Sequence, residues 1–194
     1  NFGGADRFWL GPEAGQFGLY FAPGVDFTRE IWKVPDALDR GPFQVKDSTP
    51  TKVAMTRDMA VMNYSGTKFK LRVDREIGLI PAASLMDELG AGLPEGVHYI
   101  GAYSRNTMTN TGDAAWKEES GLVSIWILGQ FNPSNSTVII APFRPGDDAE
   151  LGPAFNDDYF GKVSKEAPER LKTLGNCVLF VGDARREGKF GISQ

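Results

Sequence analysis

The chain has 194 residues, 41% hydrophobic and 24% charged, the make-up of a globular domain long enough to bury a core. Its 21 basic and 25 acidic residues give a net charge of -4 with no basic block, which argues against a nucleic-acid partner. There is no run of about 18 apolar residues, so no membrane span is expected; one Cys with one His excludes the usual Cys/His zinc frameworks, and no metal site or cofactor is assigned, an oxygen-ligand cation staying open.

The first stretch, NFGGADRFWLGPEAGQF, combines Gly3, Gly4, Gly11, Gly15 and Gly18 with Arg7, Phe8, Trp9 and Glu13. The glycines permit positive φ and close backbone approach. Two readings fit the rest. Phe8 and Trp9 plug the end of a sandwich while Arg7 pairs with Glu13, or Trp9 offers an apolar plate to the C–H face of a sugar while Arg7 and Glu13 bind hydroxyls. QFGLYFA (16–22) and FTREIWKV (27–34) read as strands. In TKVAMTRDMAVMNYSGTKF two strand pieces precede a hairpin turn at Ser65 to Thr67.

KFKLRVDREIGLI (68–80) alternates over its whole length, with Phe69, Leu71, Val73, Ile77 and Leu79 on one face and Lys68, Lys70, Arg72, Asp74 and Glu76 on the other. Arg75 breaks the pattern, because its guanidinium falls on the apolar face. Either a structural ion pair holds it, or that stretch of sheet faces a polar cavity, since an unpaired buried charge costs several kcal/mol or more. PAASLMDELG (81–90) predicts a short helix between Pro81 and Gly90. VHYIGAYSRNTMTN (97–110) predicts a strand carrying His98, the only imidazole, which is either a satisfied core or edge residue or a general acid or base.

GLVSIWILGQF (121–131) is apolar on both faces and is expected between layers. STVIIAPF (136–143) and NCVLFVG (176–182) predict strands, with Cys177 a small core residue. Between them, residues 142–161 form an acidic irregular stretch whose spacing does not match the EF-hand and which reads as a solvated loop. KEAPERLKTLG (165–175) predicts a second short helix. The chain closes on KFGISQ, read as a strand. The organisation is a single antiparallel all-β domain over residues 1–194, expected to be a portion of a longer protein.

GGADRFWLGPEAGQF resembles the GG-x-x-R-x-W-x-x-PE signature of a bacterial branch of the galactose mutarotase-like (aldose 1-epimerase) superfamily. KLRVDREIGLI, RNTMTNTGDAAWKEESGLVSIWILGQF and GKFGIS resemble later segments of that family in the same order. The resemblance implies a β-supersandwich, two large antiparallel sheets stacked and curved around a carbohydrate-sized groove. It also implies an exported protein with a carbohydrate ligand, and that Arg7, Trp9, Glu13, Arg75, Asn106 and Lys189 line one groove. Galactose mutarotases open a sugar ring with a His acid and a Glu base, and the candidates of those types here are His98 and Glu13. Neither occupies the position of the mutarotase residues. Three functions are therefore expected in competition: an aldose epimerase-like enzyme, a non-catalytic carbohydrate-binding domain of a secreted glycan-handling system, and a binder of anionic sugars through Arg7, Arg75 and Lys189.

Overall fold

The computed structural model describes residues 6–90, 92–158, 162–184 and 189–192. Gly3 and Gly4 of the opening motif lie outside them. Strand makes up 40% and helix 12%, and the strand pairs are antiparallel, so the fold is all-β as the alternation predicts. The chain divides into two compact units, Asp6–Leu128 and a second from Gly129 onward.

The first unit is built on a four-stranded sheet in the order β2 (Gln44–Thr49), β3 (Lys52–Met62), β4 (Lys68–Ile80), β5 (Gly101–Asn110). The turn between β3 and β4 is closed by Asn63, which is 1% exposed. Its side chain accepts from the Thr67 amide at 2.9 Å and donates to the Ser120 carbonyl at 2.9 Å. Gly66 takes φ 85°, the left-handed conformation that the turn demands. One face of β4 carries Phe69, Leu71 and Val73 into the core, with Val61 and Met59 opposite Phe69 and Leu71. Burial fades along this face: Arg75 is buried, Ile77 half-buried and Leu79 45% exposed. The inner face is thus closed at one end and open at the other, and Arg75 stands at the boundary. On the outer face Gly78 lies beneath the Tyr103 ring, where a Cβ would meet the ring at 2.6 Å. The Tyr103 hydroxyl donates to Glu76 at 2.9 Å.

A ribbon of β1 (Asp6–Gly11) and β6 (Ser124–Gly129) completes the unit's strands. Phe8, Trp9 and Leu10 of β1 are all buried. Trp126 and Leu128 of β6 pack on the core while Ile125 and Ile127 stay 37% and 38% exposed. The expectation that this strand lies between layers is therefore met on one face only. The segments 16–22 and 27–34, expected as strands, are irregular. Leu19, Tyr20 and Phe21 are nevertheless buried, so their apolar pattern reports packing against β1 rather than pairing in a sheet. A short α1 (Asp36–Asp39) and α2 (Ala82–Leu89) lie in connections, α2 starting after Pro81 and stopping at Gly90 with φ 65°.

The second unit holds the sheet β7 (Val138–Pro142), β10 (Cys177–Val181), β9 (Leu171–Leu174) and the pair β8 (Phe155–Asn156), β11 (Gly191–Ile192). Short α3 (Asp148–Leu151) and α4 (Val163–Glu166) connect them. The helix expected over 165–175 is corrected: α4 stops before Pro168, which cannot donate to a helix ladder, and Leu171–Leu174 pairs with β10 instead. Val178 and Phe180 pack on Val163 and Leu171. Arg170 and Asp183 form an ion pair at 3.0 Å with side chains only 5% and 1% exposed.

Candidate functional site

The opening motif is organised by the alternation of β1. Asp6 and Phe8 reach the inner face of the four-stranded sheet: Asp6 accepts from Arg75 Nη2 at 2.8 Å, and the Arg75 guanidinium lies 5.5 Å from the Phe8 ring centre. Arg75 Nε donates to Asn106 Oδ1 at 2.7 Å, and Asn106 in turn donates to Ser104 Oγ at 3.2 Å. Asn106 sits directly opposite Arg75 in the β4–β5 register. The Arg on the apolar face is thus the ion-paired one, and its partner comes from β1. A row of Asp6, Arg75, Asn106 and Ser104 marks where the closed core gives way to the open half of the sheet.

Arg7 and Trp9 point the other way. Arg7 Nη2 donates to Asp39 of α1 at 2.8 Å, and its guanidinium stands 4.8 Å over the Trp9 ring. Trp9 is 6% exposed and lies within an aromatic stack, 5.5 Å from Tyr20, 6.0 Å from Trp32 and 5.5 Å from Trp126. Tyr20 and Trp32 are nearly parallel at 5.4 Å. Trp9 therefore backs the stack from below, and the half-buried Trp32 and Trp126 are the rings that reach the surface. The Trp9 Nε1 hydrogen is buried without a partner among the described residues.

Glu13 sits in the loop that follows β1. Its Oε1 accepts from Trp32 Nε1 at 2.9 Å. Burial first, and the Glu13 charge second, push the Tyr20 phenol far above its ordinary range, so Tyr20 remains a donor to the Leu10 carbonyl at 3.0 Å. The loop carrying Glu13 answers for the glycines: a Cβ on Gly18 would stand 2.6 Å from Ala14 Cα and 2.7 Å from the Glu13 carbonyl oxygen. With the Leu19 amide bonded to Pro12 O at 3.0 Å, only Gly lets the chain fold back this tightly.

The motif residues thus fall into two clusters on the two sides of β1: Asp6, Arg75 and Asn106, and Arg7, Glu13, Trp9, Trp32 and Asp39. Lys189 belongs to the second unit, just ahead of β11, and is half-buried. His98 is exposed in the irregular stretch before β5. The strand expected from residue 97 begins at Gly101, because its partner β4 ends at Ile80 ahead of Pro81 and leaves residues 97–100 nothing to pair with. Trp32, Trp126, Asp6 and Asp39 were not singled out from the sequence. Trp32 and Trp126 carried only their aromatic identity as a signal, and the two aspartates carried none.

The model of a family of unknown function matches residues 1–194. The chain belongs to DUF6786. No curated protein and no solved structure matches it. Among the described residues no group of three or more His, Cys, Asp or Glu is placed to hold a metal ion, and no helix is long and apolar enough to cross a membrane.

Proposed function

We propose that this DUF6786 chain is a carbohydrate-binding protein of the galactose mutarotase-like kind, its sheets forming part of a β-supersandwich. The observation that carries the reading is the Trp32 indole, held by Glu13 at 2.9 Å beside the Arg7–Asp39 pair and backed by Trp9 and Tyr20. A half-exposed aromatic ring fixed edge-on by a carboxylate, with a guanidinium and a second carboxylate nearby, supplies what a sugar needs. The ring meets the C–H face, and the charged groups exchange hydrogen bonds with hydroxyls. The Asp6, Arg75 and Asn106 row supports the reading as a preorganised polar border on the open half of the inner sheet face.

Binding is favoured over turnover. Ring opening needs an acid and a base on opposite sides of the anomeric carbon, whereas Glu13 is engaged by an indole and His98 stands on an irregular exposed stretch. All four Trp residues, 9, 32, 116 and 126, lie in the first unit, and three of them, 9, 32 and 126, form the stack at this site, so Trp fluorescence reports on the first unit. A panel of neutral, acidic and phosphorylated sugars should include at least one that changes the emission saturably without accelerating anomer exchange. Silence across the panel refutes the reading; accelerated exchange of α-galactose or α-glucose replaces it with the epimerase one.

A further inference from the structure

The second unit carries a cleft of about 440 Å³ between β8 and α4, lined by Pro153, Phe155, Asn156, Asp157, Lys162 and Ser164. That volume falls in the range of small-ligand sites. Asp157 is the unusual member. It is a carboxylate only 4% exposed, accepting from the Ser164 amide at 2.6 Å. Its burial raises the carboxyl pKa, but hydrogen bonds from the Ser164 hydroxyl and amide and the nearby Lys162 charge outweigh this and hold it below its ordinary value. The carboxylate is therefore an acceptor at neutral pH, and each of its oxygens can take more than one donor.

The other polar groups are donors. Asn156 uses its carboxamide oxygen on the Asp158 amide at 2.9 Å, which leaves its NH₂ group to donate. Lys162 adds an ammonium, while the Ser164 hydroxyl is engaged with Asp157. Pro153 and Phe155 form the apolar wall. Among the described lining residues Lys162 is the one cation and Asp157 offsets it, so these residues do not by themselves select an anion. A single carboxylate among these residues is too few ligands for a divalent metal.

We propose that this cleft is a second saccharide subsite, taking a neutral hydroxylated ring with its C–H face on Phe155 and its hydroxyls shared among Asp157, Asn156 and Lys162. The inference rests on the carbohydrate reading above, and it places a contact where no motif pointed. Because the second unit contains no Trp, the two sites are read by different signals. The test is a ¹H–¹⁵N correlation spectrum of the whole chain titrated with galactose, glucose and mannose, with glucuronate and inorganic phosphate as anionic probes. Saturable shifts of the Phe155, Asp158 and Ser164 amides with a neutral sugar are expected, weakened about fivefold to tenfold by Lys162→Ala through loss of one charged donor. Lys162 is exposed, so this variant does not disturb the core. Indole signals that respond while these amides stay still overturn the subsite and leave the first site standing. Silence of both overturns both. A response to glucuronate or phosphate alone, or unchanged affinity in Lys162→Ala, overturns the neutral-sugar assignment.

Discussion

Arg75→Met removes a guanidinium whose only remaining exposure is 8% and replaces it with a side chain of similar length and no charge. Two hydrogen bonds vanish, one to Asp6 at 2.8 Å and one to Asn106 at 2.7 Å. Bonds to charged groups contribute roughly 1.5–3 kcal/mol each, and breaking a buried pair by deleting one partner costs about 3–5 kcal/mol. The Asp6 side chain is 33% exposed, so water takes over part of its solvation and the loss falls near the lower end, about 3 kcal/mol. Methionine also keeps the packing between Phe8 and Phe43, which lie 5.5 and 6.0 Å from the guanidinium. A loss of about 3 kcal/mol lowers the melting temperature by roughly 6–12 °C in a chain of this size. Urea unfolding followed by Trp fluorescence measures it, together with Asp6→Asn and the double variant. Removing the second partner from a broken pair should cost little, so the double variant is predicted to be less than additive by about 1–2 kcal/mol. Additive losses, or an Arg75→Met variant within about 0.5 kcal/mol of the parent, refute the account of Arg75 as a paired buried charge.

Asp183→Ala leaves Arg170 buried without its carboxylate and should cost about 3–5 kcal/mol in the second unit, read by amide exchange of β9 and β10. Gly18→Ala forces a Cβ into backbone 2.6 Å away and should both destabilise the chain and shift the Trp32 signal, whereas Gly92→Ala, with open space around it and no left-handed φ, should leave that signal unmoved. Glu76 is held below its ordinary carboxylate value, first by the Tyr103 hydroxyl and then by Lys52. A depressed folded pKa adds stability above the unfolded carboxylate value and loses it as pH falls through the folded one. The stability gap between parent and Tyr103→Phe should therefore be present at pH 7 and shrink below about pH 4, as urea midpoints at the two pH values will show; a constant gap contradicts it.

The inner face of β4 was legible in the sequence because strand periodicity is local: every second residue from Phe69 to Val73 is buried, and Arg75 stood out as the exception before any partner was known. That the partner is Asp6 was not legible, because 69 residues separate them and no local pattern encodes which acidic side chain closes a long-range pair. Residues 16–22 and 165–175 were misread for opposite reasons. In the first, buried apolar residues mimic a strand where the chain only packs against β1; in the second, a Pro and Gly pair that frames a helix on paper frames a turn and a strand that pairs with β10. Trp9 shows the same limit. Its motif marked it for the site, but the rings of Trp32 and Trp126, from distant segments, decide which indole reaches the surface.

The central claim is that a sugar sits on the Trp32 ring beside Glu13 and Arg7. Following the four indole N–H signals during a titration with the saccharide that alters fluorescence tests it most directly. The account predicts saturable movement of the Trp32 and Trp126 signals while Trp116, packed on Phe69 at 5.8 Å, stays in place. Movement of Trp116 alone, or of no indole at all, contradicts it.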